Sequence, residues 1–350
     1  MATSIYEFAQ MPETQAVTVG ARGRENARQP GEAPRVGVIY NPRSHRNKGA
    51  DFDCGVCPQV HIATPEKRDA LPLALAEFGE AEIDLLVING GDGTVRDVLT
   101  CGHAIFGDDW PAVAVIPKGK TNALTVDLGV PIEWSLQDAI DAFESGERVV
   151  RRPVAVRDLT KSASSEVLGF ILGAGAFTHA TKAGQSAHKL GAFNSAVVAV
   201  TAIWGITQAL FATRKNPWRR GARMALTLGK GEAGLAHSGS GDPAFRQLLV
   251  ASTLERLPAK LRPFGRLQTG LRLVAVDQVD RRTTALLPLA ALGKVQSGLR
   301  QRGIHQLGLS EFTLAIDDAF IFDGEAFPPG RYRVGQGPAI EFVTPAAASA

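Results

Sequence analysis

The sequence is short of several things. Only three cysteines occur in 350 residues. That is too few for a disulfide framework, and a reducing compartment is the default. Acidic residues are missing altogether from Val167 to Gly231, where Lys182, Lys189, Arg214, Lys215, Arg219, Arg220, Arg223 and Lys230 all fall. Such a block attracts an anionic surface over about a Debye length. The N-terminus lacks a basic-then-apolar pattern, so a cytoplasmic origin is expected. The net charge of +3 is too small to imply nucleic acid by itself, and none is expected as a partner. With 45% hydrophobic and 21% charged residues, the chain can bury a core and has the length for two domains.

What is present is one dense motif, Ile88-Asn89-Gly90-Gly91-Asp92-Gly93-Thr94. Before it, Ile83 to Ile88 reads as a short buried parallel strand. After it, Val95, Val98, Leu99 and Ile105 recur at helical spacing. The glycines therefore occupy a strand-to-helix turn, where backbone N–H groups hold anions. Glycine admits positive φ there and lets a phosphate approach the backbone. A carboxylate beside a phosphate is repelled unless it works through a metal ion or carries a proton. Asp92 thus points to phosphoryl transfer rather than passive binding. The plain alternative is a glycine-rich turn ending a strand, with Asp92 as helix N-cap.

Other segments arrange themselves around this turn. Val36 to Asn41 reads as a first strand and Val56 to Ala63 as a second, with Thr64 capping the next helix and Pro65 at its first position. Leu71, Leu75 and Phe78 give that helix an apolar face, and Pro72 marks an irregular start. Val113 to Ile116 is a fourth strand. Strands alternating with helices imply an open parallel sheet, with a ligand crevice at the strands' carboxyl ends. Asn41, Thr64, Gly90 to Thr94 and Gly119 to Asn122 all fall at such ends. Ser135-Leu136-Gln137-Asp138 opens a helix with a capping box. Near Arg152 the pattern changes to short alternating strands and Gly-rich turns.

Four ordered signals resemble the diacylglycerol kinase catalytic family, which includes sphingosine and ceramide kinases and compact bacterial lipid kinases. They are the strand and turn Val36 to Ser44, the Gly-Gly-Asp-Gly motif, Pro117-Lys118-Gly119-Lys120-Thr121-Asn122, and Asp323-Gly324-Glu325. The region from Gly169 to Leu271 matches only loosely. Lys120 stands where the family usually has Thr, Ala123 where it has Asp, and Asp97 where it has Glu. Thr269 occupies the position of an Asp that holds a structural magnesium.

Composition and patterning give an α/β chain: a mobile tail over 1–34, a first domain over 35–152, and a mainly β second domain over 153–327, with a last strand near 339–343 returning to the first domain. The resemblance implies that the first domain binds nucleotide and the second the lipid acceptor, in an ATP- and Mg²⁺-dependent kinase acting on a hydroxyl of diacylglycerol, ceramide or a sphingoid base. Glu325 is then the general base, and Asp92 organises the metal or shares in activating the hydroxyl. Asn41, Thr64, Gly90, Gly91, Gly93, Thr94, Gly119, Lys120 and Asn122 surround the nucleotide. Lys120 is expected either to contact phosphate or to be an ordinary exposed lysine.

Two stretches bear on partners. Leu190 to Thr213 has no charged residue and reads as a core helix, a lipid-facing helix or a membrane span. Arg214 to Arg220 surrounds Trp218 with basic residues, which suits peripheral binding at an anionic membrane. Cys54 and Cys57 form a C-x-x-C whose spacing matches no common zinc finger, and plain thiols are expected. Two other functions compete: a soluble kinase of the NAD-kinase type, and a nucleotide-binding membrane-attached regulator without catalysis.

Overall fold

The computed structural model describes residues 32–48, 59–66, 68–161, 166–181, 213, 216–231, 233–295 and 297–346, and all structural statements concern these. The 1–31 part of the N-terminal tail, Cys54 and Cys57, and the apolar run from Leu190 to 212 lie outside them.

The first domain begins with β1 (Val36–Tyr40) and β2 (Val60–Ala63). Helix α1 (Leu71–Glu80), β3 (Leu85–Gly90), α2 (Asp92–Phe106) and β4 (Ala112–Pro117) follow. A short α3 (Ala123–Leu128), α4 (Leu136–Ser145) and β5 (Glu147–Arg151) complete this stretch. β1 and β3 are buried along their whole length, and β4 nearly so. That burial explains their continuous apolar composition, since crossover helices cover both faces of a parallel sheet. The capping box forms at α4: Ser135 Oγ accepts from the Asp138 N–H while the Ser135 N–H donates to the Asp138 carboxylate. Thr64 does not cap α1. A 3₁₀ turn over Arg68–Ala70 intervenes, Ala70 is the N-cap with no side-chain bond, and Pro72 sits in the first turn.

The second domain contributes β6 (Val154–Asp158), β7 (Val167–Gly169) and β8 (Ile171–Gly175). After a short α5 (Pro217–Arg220) come β9 (Ala222–Leu228), β10 (Phe245–Ser252) and β11 (Leu271–Asp277). Helix α6 (Arg281–Ala291), β12 (Ile304–Leu309) and β13 (Phe312–Ile316) follow. The hairpin of β14 (Phe320–Phe322) and β15 (Glu325–Phe327) precedes β16 (Gly330–Gln336). The chain then returns with β17 (Ile340–Thr344).

Among the described residues the first sheet runs β2-β1-β3-β4-β17-β5. β1 to β4 are mutually parallel; β17 is parallel to β4 and antiparallel to β5. Phe342 and Val343 of β17 are fully buried in the first domain's core, and burial of such a side chain contributes roughly 1.5–3 kcal/mol. The second sheet is antiparallel, in the order β15-β14-β8-β10-β9-β13-β16-β6-β7, with β11 and β12 branching from β10. The expected α/β domain plus mainly β domain is the architecture found.

The domains are joined through packed side chains. Leu168 and Phe170 of the second domain belong to the first domain's core. Thr100 Oγ1, on α2, accepts from the Leu168 N–H at 3.0 Å. Buried Asp127 receives Arg151 Nε at 2.7 Å and the Arg256 N–H at 2.6 Å. No helix among the described residues is long and apolar enough to cross a membrane.

Candidate active site

A cleft of about 1080 Å³ opens between the carboxyl edge of the parallel sheet and the β14–β15 hairpin. Asn41, Gly91, Asp92, Gly93, Thr94, Gly119, Lys120 and Glu325 line it. The structure thus brings together residues separated by most of the chain. Thr64, Gly90 and Asn122 stand beside the cleft rather than on its wall; at the second strand's end Pro65 and Glu66 form the lining instead.

The glycine turn is built for close approach. None of Gly90, Gly91 and Gly93 has positive φ, so left-handed backbone is not what requires glycine here. A Cβ on Gly91 would lie 2.7 Å from Gly119 Cα, and one on Gly90 would lie 2.5 Å from Thr94 Cβ. A Cβ on Gly93 would meet nothing within 4 Å, so this glycine leaves open the space that an anion at the helix start would use. Asn41 Nδ2 donates to Thr94 Oγ1 at 2.8 Å, tying the first strand's turn to the helix. Asn122, left-handed at φ 51°, folds its amide back on Gly119: Oδ1 accepts from Gly119 N–H at 2.7 Å and Nδ2 donates to Gly119 O at 3.1 Å. Asn122 therefore shapes the loop from behind.

Asp92 is the first residue of α2, and Gly91 is the N-cap. One carboxylate oxygen accepts from the Ala123 N–H at 2.7 Å. Burial pushes the Asp92 carboxyl up from its ordinary value, against the amides of Ala123, Leu124 and Asn122, which favour the charged form.

The opposite wall is the β14–β15 hairpin. Phe322 pairs with Glu325, leaving Asp323 and Gly324 as a two-residue turn with φ of 43° and 82°. Two successive positive φ values suit Asp-Gly and give a tight hairpin turn that matches strand twist. The Asp323 carboxylate accepts from the N–H groups of Phe170 (2.9 Å) and Ile171 (2.8 Å) at the β7–β8 junction. Gly169 is needed there, because a Cβ would lie 2.3 Å from Asp323 Oδ2.

Burial, and then the charge of Asp92, raise Asp323 to about 7. Between the ordinary carboxylate value and about 7, the folded chain holds a proton that the unfolded chain has lost. Stability therefore falls as pH rises through that window. The expected loss from this group is at most a few kcal/mol, at about 1.4 kcal/mol per unit of pKa difference. Urea denaturation at about pH 5 and about pH 8 should show a smaller pH difference for Asp323→Asn than for the natural chain.

Behind Glu325 lies Arg96, fully buried on α2 and bonded to Asp97 Oδ1 at 2.7 Å. Its Nη2 stands 3.7 Å from Glu325 Oε1. Burial works against the Arg96 charge, but Asp97, Glu325 and Asp323 outweigh it and hold the guanidinium above its usual value. Sequence reasoning passed over Arg96, because nothing in a helical Val-Arg-Asp marks an arginine as interior.

Apart from Glu66 on the sheet edge, the charges in the cleft are segregated. Arg43, His45, Lys48 and Lys120 come from the sheet-edge loops, while Asp92, Asp97, Asp323 and Glu325 come from α2 and the hairpin. Ile171, Phe177 and Ile321 add an apolar portion. Among the described residues no group of three His, Cys, Asp or Glu side chains is placed to hold a metal by itself. The carboxylates suit a divalent cation that takes its remaining ligands from elsewhere.

Residues 35–152 match the sequence profile of the diacylglycerol kinase catalytic domain. A diacylglycerol kinase of Bacillus subtilis (strain 168) is 30% identical over 129 residues, 35% of this chain and 41% of that protein. The probable lipid kinase YegS of Escherichia coli O127:H6 is 33% identical over 73 residues, 21% of this chain and 24% of its own length. The chain thus spans less than half the length of these curated relatives. A crystal structure of a diacylglycerol kinase from Bacillus anthracis str. Sterne superposes with a TM-score of 0.56 at 14% identity, covering 89% of this chain and 97% of that one, which establishes the common fold. Over residues 35–152 the chain is thus similar to the diacylglycerol kinase catalytic domain, and over 89% of its length it shares the fold of that crystal structure.

Proposed function

We propose that this protein is an ATP-dependent lipid kinase that phosphorylates a hydroxyl of a membrane lipid: diacylglycerol, ceramide or a sphingoid base. The observation that carries the reading is that Asp92 and Glu325, more than two hundred residues apart in sequence, line one cleft with the glycine turn. The basic loops suit a polyphosphate, and the apolar portion beside Glu325 suits the acceptor's hydrocarbon. Bound Mg²⁺ would be held by Asp92 together with nucleotide phosphates and would neutralise developing charge.

In this reading the lipid oxygen bonds to the γ-phosphorus as the bond from phosphorus to the β,γ-bridging oxygen breaks. ADP leaves and Glu325 takes the hydroxyl proton. Most of the rate comes from positioning and electrostatics. The N-terminus of α2 would receive the nucleotide's phosphates, and Asn41 holds Thr94 in place there.

The acceptor reaches the protein at a membrane surface. Trp218, in the basic turn of α5, contacts the ring of His179 at 6.0 Å. His179 belongs to the helical residues 176–181, which also supply Phe177 and Thr181 to the cleft. Anionic headgroups attracted to Arg219 and Arg220 would thus gather near the acceptor end, which fits a cytoplasmic protein in peripheral contact with the bilayer.

Radiolabelled ATP with a panel of lipids in mixed micelles tests the proposal. Labelled lipid supports it, labelled NAD would favour a small-molecule kinase, and nucleotide binding without transfer would favour a regulator. Lys120→Ala is expected to raise the KM for ATP by about 10-fold, the lower end of the roughly 1.5–3 kcal/mol of a charged hydrogen bond. Initial-rate kinetics check this, and an unchanged KM and kcat would remove Lys120 from the nucleotide site.

A further inference from the structure

We infer that Arg96 is a positioning residue that clamps the Glu325 hairpin of the second domain to α2 of the first. The inference rests on the kinase reading above for its catalytic meaning. Its geometry stands separately. Arg96 is absent from the cleft lining and fully buried, so any effect on a reaction there passes through other groups. Nε and Nη2 meet Asp97 Oδ1 at 3.1 and 2.7 Å on the same helix. Nη1 donates to the Phe322 carbonyl at 3.3 Å, and Nη2 stands 3.7 Å from Glu325 Oε1. One planar fork thus spans both domains and takes hold of the hairpin at its backbone and at its carboxylate.

A buried guanidinium is costly unless its donors are matched, and these are matched across the cleft wall. A lysine offers a point charge and cannot hold Asp97, the Phe322 carbonyl and Glu325 in one plane. Asp323 holds the same hairpin from the other side, through Phe170 and Ile171. Glu325 is therefore fixed twice: by its own domain through the turn and by the opposite domain through Arg96.

The test uses the full chain with Arg96→Lys, and with Arg96→Gln, which removes the buried charge and leaves the cleft carboxylates in place. Each is expected to lower kcat by about 10²-fold, the scale of an ångström-sized misplacement, with the KM for ATP unchanged. Glu325→Gln added to either background should cost far less than in the natural chain, because the two residues act as a unit. Amide hydrogen exchange should quicken at 322–327 while the β3–β4 core stays protected. Additive kinetic losses with unaltered exchange would overturn the clamp. If the natural chain phosphorylates no lipid, the kinase reading fails and the exchange experiment alone decides: faster exchange at 322–327 supports the clamp and unchanged exchange refutes it. If Arg96→Lys does not fold, Arg96→Gln carries the same comparison.

Discussion

Glu325→Gln is expected to lower kcat for lipid phosphorylation by about 10²–10⁴-fold, the usual contribution of a general base, and to leave the KM for ATP unchanged. The amide keeps the side chain's size and its place beside Arg96 but cannot accept the acceptor's proton. Glu325 is about a third exposed on its side chain and lines the cleft, so it can meet a hydroxyl arriving from the apolar portion. Initial rates at saturating lipid, with ATP varied, separate the two parameters. A variant that turns over at the natural rate would show that the proton leaves by another route, and Glu325 would then be only Arg96's partner.

The second large effect is expected at Asp92. Asp92→Asn should reduce turnover by about 10²–10³-fold, the scale of removing one preorganised electrostatic contact from a transition state. It should also weaken the dependence of rate on Mg²⁺ concentration. The substitution keeps an oxygen for the Ala123 N–H, so α3 and the Gly119 loop should hold their places. Because burial already disfavours charge at Asp92, the neutral variant should be at least as stable as the natural chain. Chemical denaturation checks stability, and a magnesium titration of the rate checks the function. Loss of both stability and activity would mean that Asp92 is chiefly a cap for α3.

Much of the first domain was legible because its signals are local. β3 is a buried apolar run, α2 repeats at helical spacing, and the turn between them is punctuated by glycine. The alignment of Asn41 and Gly119 with that turn followed from the rule for parallel sheets. What could not be read were properties set by distant neighbours. Gly91 looks like a residue chosen for its φ, yet its requirement comes from Gly119 across the loop crossing. Thr64 has the composition of a cap, but the 3₁₀ turn and Pro72 move the helix start several residues onward. Asp323 reads as an ordinary turn acid, and its hold on Phe170 and Ile171 spans about 150 positions. Arg96 shows the limit most plainly, since its partner carbonyl at Phe322 lies 226 residues away.

The placement of β17 between β4 and β5 has a consequence for biosynthesis. During translation the parallel sheet emerges early but lacks an interior strand until β17 leaves the ribosome. The flank of β4 that β17 will cover stays unpaired while the whole second domain is being made. Maturation of the cleft thereby waits for the second domain, and a nascent chain halted before Ile340 would present an open sheet border to any chaperone nearby.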